Sequence, residues 1–201
     1  MSTNLEIANR AIREVGGRPI TALDAVNSTA NIANDAILFS IEEVLSEYEW
    51  PINTVTETST GVTTGLPDTK FAYNHDLTAL GNTVDRVVGI ADTEGHPYYT
   101  HRLEGTSLHA DEETLFIRYT FPMTDVATMP PYLSQVIAAH LAKEICIPLS
   151  GDQGRKEILE ERYIKLLGKA KTQMSRQRPP QSFFDDTSSQ YLEAHNTYGD
   201  V

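Results

Sequence analysis

The chain has 201 residues, with 28 acidic against 16 basic side chains, six histidines and a single cysteine. That length suits one domain with extensions. A net charge of −12 argues against a protein that grips a phosphate backbone, and the lone Cys146 excludes an intrachain disulfide and a cysteine-rich zinc site.

Thr3 and Glu6 have the spacing of a capping box, and Leu5, Ala8, Ile12 and Val15 recur at helical intervals, so the spacing predicts a helix over 3–16. Gly16-Gly17 and Pro19 end it. This opening segment is amphipathic and mixed in charge, unlike a signal peptide. No stretch approaches the about 20 apolar residues that span a bilayer.

A longer helix is predicted over 28–50, capped by Asn27 or Ser28, with Ala30, Ala33, Ile37, Ile41, Val44 and Tyr48 on one stripe. Trp50, the only tryptophan, is placed in its last turn, and Pro51 forces an extended continuation. "SEYEWPIN" allows two readings. Trp50 is either an aromatic platform beside carboxylates or, as the better fit, a structural corner formed with Pro51.

From 51 to 120 the texture changes to Thr, Val, Tyr and Gly, the composition of strands. Strands are expected at 52–58 and in "TKFAYNH", "DRVVGIA", "PYYTHRL" and "TLFIRYT". With "DTEGHP" and "HADEE" read as polar turns, the last three form a meander.

Pro130-Pro131 opens a third predicted helix, 130–147, ending near Pro148, and "SGDQG" turns the chain into a fourth, 152–176. Acids come early and bases late in that fourth helix, which suits the helix dipole, and the short connection implies an antiparallel hairpin. Charge is unevenly placed: residues 1–150 hold 20 acids and 8 bases, residues 151–201 hold 8 of each. Residues 179–201 are polar and Pro-led by Pro179 and Pro180, yet carry Phe183, Phe184, Tyr191, Leu192 and Tyr198. Such aromatics suit an arm that docks on another chain better than a purely solvated end. The fold class expected is therefore α+β: an antiparallel bundle of about four helices, a small antiparallel β-region inserted between helices two and three, and an extended C-terminal arm.

Few residues point to chemistry. "EVGGRP" follows a helix and lacks the Walker lysine and the dinucleotide spacing, and neither a Gly-x-Ser-x-Gly elbow nor a His-Glu-x-x-His pair is present. Cys146 reads as a small buried apolar residue. His101 and His109 could lie on neighbouring strands, where a two-His metal site would lack a spaced carboxylate third ligand; His140 reads as a satisfied helix residue at the core edge. Glu42, Glu43, Glu47 and Glu49 crowd one helix. Glu43 and Glu47, one turn apart, offer the pair of carboxylates that glycoside hydrolysis needs, although clustered acids are usually a solvated face.

The order of elements is more informative. An N-terminal "LEIANRAIREVGGRPITAL", an Ala- and Asn-rich helix closing in "YEWPIN", a β-region, "LFIRYTFPMTDVATMPPYLSQVIAAHLAKEICIPL" and a basic final helix resemble the adaptor, or tail tubular protein A, family of short-tailed bacteriophages. The similarity covers roughly residues 3–178 and includes a "GxxPI" loop, a "W-x-x-N" helix end at Trp50 to Asn53, and Tyr119, Asp125 and Pro130 before the third helix. The resemblance implies a body at 1–178 and a portal-docking arm at 179–201. It implies a non-enzymatic virion protein, made in the host cytoplasm, without cofactors or membrane association. Its copies would form a dodecameric ring between the portal protein and the tail nozzle protein, tail tubular protein B, through which DNA passes without specific binding. A closed head-to-tail ring needs two unlike faces on each copy, and Lys165, Lys169 and Lys171 are candidates for one of them. Two rival functions remain: a tail-associated glycan hydrolase using Glu43 and Glu47, and a head-completion protein of related helical build.

Overall fold

The computed structural model of the protein describes residues 3–63, 70–124 and 126–177. Thr3 caps α1 (Asn4–Val15) with the full reciprocal pair: its hydroxyl accepts from the Glu6 N–H, and the Glu6 carboxylate accepts from the Thr3 N–H. Gly16 closes α1 at φ 88°, a left-handed backbone that favours glycine, and its N–H reaches the Arg13 carbonyl. The following loop is clamped back on the helix, since the Asn9 amide both donates to the Ile20 carbonyl and accepts from the Ile20 N–H, at 2.9 and 2.7 Å. The "GxxPI" signature is thus the loop that Asn9 holds.

Asn27 caps α2 (Ser28–Ser46), accepting from the Ala30 N–H, and the predicted stripe Ala30, Ala33, Ile37, Ile41 and Val44 is buried. The helix stops at Ser46, four residues short of the expected end: Trp50 stands outside it with φ −75° and ψ 129°, the extended conformation that a following proline imposes. Pro51–Asn53 make one turn of 3-10 helix before β1.

Seven strands follow among the described residues, in two antiparallel sheets: β1 (Thr54–Thr60), β2 (Val62–Thr63), β3 (Tyr73–Asp76), β4 (Arg86–Ala91), β5 (His101–Glu104), β6 (Ser107–Ala110) and β7 (Thr114–Thr120). The first sheet has the order β1-β7-β4 and the second β2-β3-β6-β5. The expected three-strand meander does not form. β4 pairs with β7 in one sheet and β5 with β6 in the other, because a strand not expected, "SLHA", forms there, its last two residues inside the expected turn "HADEE". Gly105 at φ 58° makes the tight β5–β6 connection possible. Leu115, Ile117 and Tyr119 alternate inward along β7 and meet Leu77, Ile90, Leu108 and Ala110 in a core of the β layer.

The helices bury a second core. α3 (Pro131–Ser150) is apolar on nearly every side and contacts α1, α2 and α4 (Gln153–Gln177), so it is the central helix of this layer. It runs past the expected stop at Pro148. A proline this near the end forfeits one backbone bond, and the Ser150 hydroxyl supplies another by donating to the Cys146 carbonyl. Gly151, at φ 66°, then ends the helix. The Tyr132 hydroxyl donates to Met174 Sδ, so the start of α3 meets the end of α4 and the two run antiparallel.

The molecule is therefore mixed helix and sheet, with four helices and two antiparallel sheets among the described residues. None of these helices is long and apolar enough to cross a membrane.

Candidate functional site

Trp50 has no exposed surface. Its indole N–H donates to the Val44 carbonyl at 2.9 Å, and its ring meets Tyr48 edge-on at 5.2 Å. The Trp50 carbonyl accepts from the Asn53 N–H and the Thr54 hydroxyl, while the Asn53 carbonyl accepts from the Phe121 N–H at the end of β7. A sugar cannot stack on a ring with neither face open. Trp50 and Pro51 form the joint at which the helical layer hands the chain to the first sheet, and the "W-x-x-N" spacing places Asn53 to complete it.

The acids of α2 sit beside a second feature, a cluster of polar groups sealed between helices. His140 of α3 is 2% exposed, and its ring stands 5.0 Å from that of Tyr163 on α4 and 6.3 Å from Phe39 on α2. Neither His140 Nδ1 nor the Tyr163 hydroxyl has a hydrogen-bond partner, and the buried Ser40 hydroxyl is likewise without one. His140 is thus buried but not satisfied, contrary to expectation. Burial, helped by the nearby Lys143 ammonium, lowers its pKa to about 4; burial, then the Glu47 and Glu43 carboxylates, hold the Tyr163 hydroxyl well above the usual tyrosine range. Near neutrality both rings are uncharged and neither exchanges a proton readily. Glu47 pairs instead with Lys171 at 3.4 Å, and the Lys171 ammonium also lies 5.8 Å from the Tyr48 ring. Lys143 sits over the Tyr163 ring at 5.3 Å.

Of the other histidines, His75 holds the most structured position. Its Nε2 lies 3.0 Å from the Glu112 carbonyl, which only accepts, so Nε2 carries the proton and Nδ1 accepts from the Ser59 hydroxyl at 3.1 Å. The pair joins β1 of one sheet to β3 of the other. Both side chains are buried, so what resembles a nucleophile and its base acts here as a latch. A comparable polar tie runs through the first sheet, where the Tyr119 hydroxyl donates to Glu57 and accepts from the Asn82 N–H. His101 and His109 do occupy neighbouring strands, but His109 pairs in register with Arg102 and His101 with Ala110, which sends the two imidazoles to opposite faces. Among the described residues no group of three His, Cys, Asp or Glu side chains is arranged to hold a metal ion. Cys146 is fully buried, as expected.

Lys165 and Lys169 are exposed on α4, and among the described residues Lys165 pairs with Glu161 of its own helix alone, at 3.7 Å. Lys171 differs from them in being held by Glu47 of the same chain. Pro179, Pro180, Phe183, Phe184, Tyr191, Leu192 and Tyr198 of the predicted arm, and Asp125 of the family signature, lie outside the described residues. The latch of Ser59 and His75 and the buried pair of His140 and Tyr163 were missed in the sequence; each joins residues on separate elements with no shared motif. Comparison with protein-family models and with curated proteins found no match.

Proposed function

We propose that the protein is a structural adaptor of a short-tailed phage virion, a ring of identical copies seated between portal and tail nozzle, with no reaction of its own. In this reading the helices, as an antiparallel bundle, build the ring wall, the β-region is the insertion carried between α2 and α3, and residues 179–201 engage the portal. The observation that carries it is the joint at Trp50. The residues that support the resemblance are those that organise the chain: Asn9 and Ile20 fix the "GxxPI" loop, and Trp50 and Asn53 fix the passage from α2 to β1. The acidic body supports the reading too, since a channel for DNA benefits from repelling phosphate rather than holding it.

The test is native mass measurement of the protein alone and mixed with portal protein from a short-tailed phage. A closed ring on the portal is expected, and a chain lacking residues 179–201 loses that binding. A full chain that stays monomeric with every such portal overturns the reading.

A further inference from the structure

Two surface stripes on separate helices have opposite character. Across Ser28–Ser46, α2 carries Asp35, Glu42 and Glu43 and not one basic residue. Asp35, Leu38, Phe39 and Glu42 fall at helical spacing on its exposed side, with Leu38 and Phe39 about half exposed in the middle. On α4 the segment from Arg162 to Arg176 contains five bases and no acid. Ile158, Lys165, Lys169 and Arg176 share one exposed side of that helix with Glu161, whose carboxylate lies 3.7 Å from the Lys165 ammonium, and Ile158 is 68% exposed at the head of the stripe.

Both flanks of the α4 stripe are engaged within the chain. α4 touches α2 through Lys171, which pairs with Glu47, and it touches α1 on the flank nearer the basic stripe, where Arg162 pairs with Glu14 at 3.0 Å. Among the described residues no ion pair joins Asp35 or Glu42 to Lys165 or Lys169. The ion pair of Lys165 with Glu161 is about three-quarters exposed on both sides, so it leaves Lys165 available to a stronger partner.

We infer that the acidic and apolar stripe of α2, centred on Leu38, Phe39 and Glu42, docks on the basic and apolar stripe of α4, centred on Ile158, Lys165 and Lys169, of a second copy of this chain. The inference rests on the ring reading and names the contact by which such a ring would be made. Each copy offers one stripe of each kind, so the contact is head-to-tail and propagates from copy to copy. Charge complementarity fixes register and opposes pairing of like stripes, while the apolar residues supply the desolvated centre.

Two full-length variants test it, one with Asp35→Lys and Glu42→Lys, the other with Lys165→Glu and Lys169→Glu. Followed by sedimentation at low salt, each alone should associate more weakly than the parent, on the order of a hundredfold. Mixing them should restore association, because the reversed α2 of one then meets the reversed α4 of the other. Phe39→Cys and Ile158→Cys proteins, mixed and oxidised, should give mixed dimers in excess of either like pair, with buried Cys146 silent. All six substituted positions are exposed, and circular dichroism checks that each variant folds. Rings that form on the portal despite both reversals, without the mixed cross-link, overturn this contact and leave the adaptor reading standing. No assembly by the parent chain, alone or with portal, overturns both. Retention of duplex DNA that is lost in Lys165→Glu/Lys169→Glu and not restored by mixing overturns the contact and assigns the basic stripe to a phosphate backbone.

Discussion

His140 and Tyr163 face each other edge-to-face across the α3–α4 interface at 5.0 Å, with the His140 Nδ1 and the Tyr163 hydroxyl both unpaired. A buried aromatic pair of this kind gains from packing while leaving two polar atoms without a partner. The groups around the imidazole are mixed: Lys143 disfavours its charging, and Glu144 and Glu47 favour it, with burial the largest influence.

The first prediction concerns acid. The folded protein holds His140 at about 4 against 6.5 in the unfolded chain, so the unfolded state takes up the proton first. Its contribution to stability is full above the unfolded value and is lost as pH falls from 6.5 towards 4. The shift corresponds to about 3 kcal/mol at most. His140→Phe should remove most of that dependence, checked by comparing urea midpoints of the two proteins at about pH 7 and about pH 4. Equal acid sensitivity in both proteins would place the dependence elsewhere.

Trp50 supplies the second. Replacing it with alanine opens a cavity at the joint and leaves the Val44 carbonyl without the indole N–H, a loss of roughly 3 to 5 kcal/mol. Trp50→Phe keeps most of the packing and gives up the hydrogen bond, at about 1 to 2 kcal/mol. Denaturant midpoints measure both. As the only tryptophan, Trp50 should also show blue-shifted emission resistant to a soluble quencher, and red-shifted, easily quenched emission would return it to the surface.

What was legible in the sequence was local. Thr3 and Glu6, the Ala30 to Val44 stripe and β7 are specified by neighbours within a few residues, and these elements stand where the spacing puts them. Strand pairing is set by contacts between distant segments, so the partners of β4 and β5 could not be read from their own residues. β6 is only four residues long, and its last two, His109 and Ala110, belong to "HADEE", whose composition reads as a polar turn. The latch of Ser59 and His75 shares this cause, since it links two sheets whose existence had first to be known. The end of α2 was mistaken for a different reason: the three residues after Ser46 have helical composition, and the bias imposed by Pro51 decides the matter.

The third prediction is that the latch stabilises both sheets together. Ser59→Ala removes the donor to Nδ1 and leaves a buried imidazole nitrogen unpaired, at a cost of about 1 to 3 kcal/mol. Nitrogen NMR of the intact protein should find a proton on His75 Nε2, because the Glu112 carbonyl can only accept. A proton on Nδ1 instead would mean that Ser59 does not donate to it.

The last prediction separates a structural acidic face from a catalytic one. Glu47 and Lys171 are each roughly one-third exposed, and a pair of that kind contributes about 0 to 1 kcal/mol. Glu43→Gln with Glu47→Gln should therefore lower stability only slightly, since the Tyr163 hydroxyl these carboxylates face is neutral with or without them. If the acids have no catalytic part, the parent protein releases no reducing sugar from cell-wall or capsular glycan, and the double variant is indistinguishable from it. Measurable hydrolysis by the parent that disappears in the variant would make α2 an active-site helix, and Trp50 would then matter only for holding its end in place.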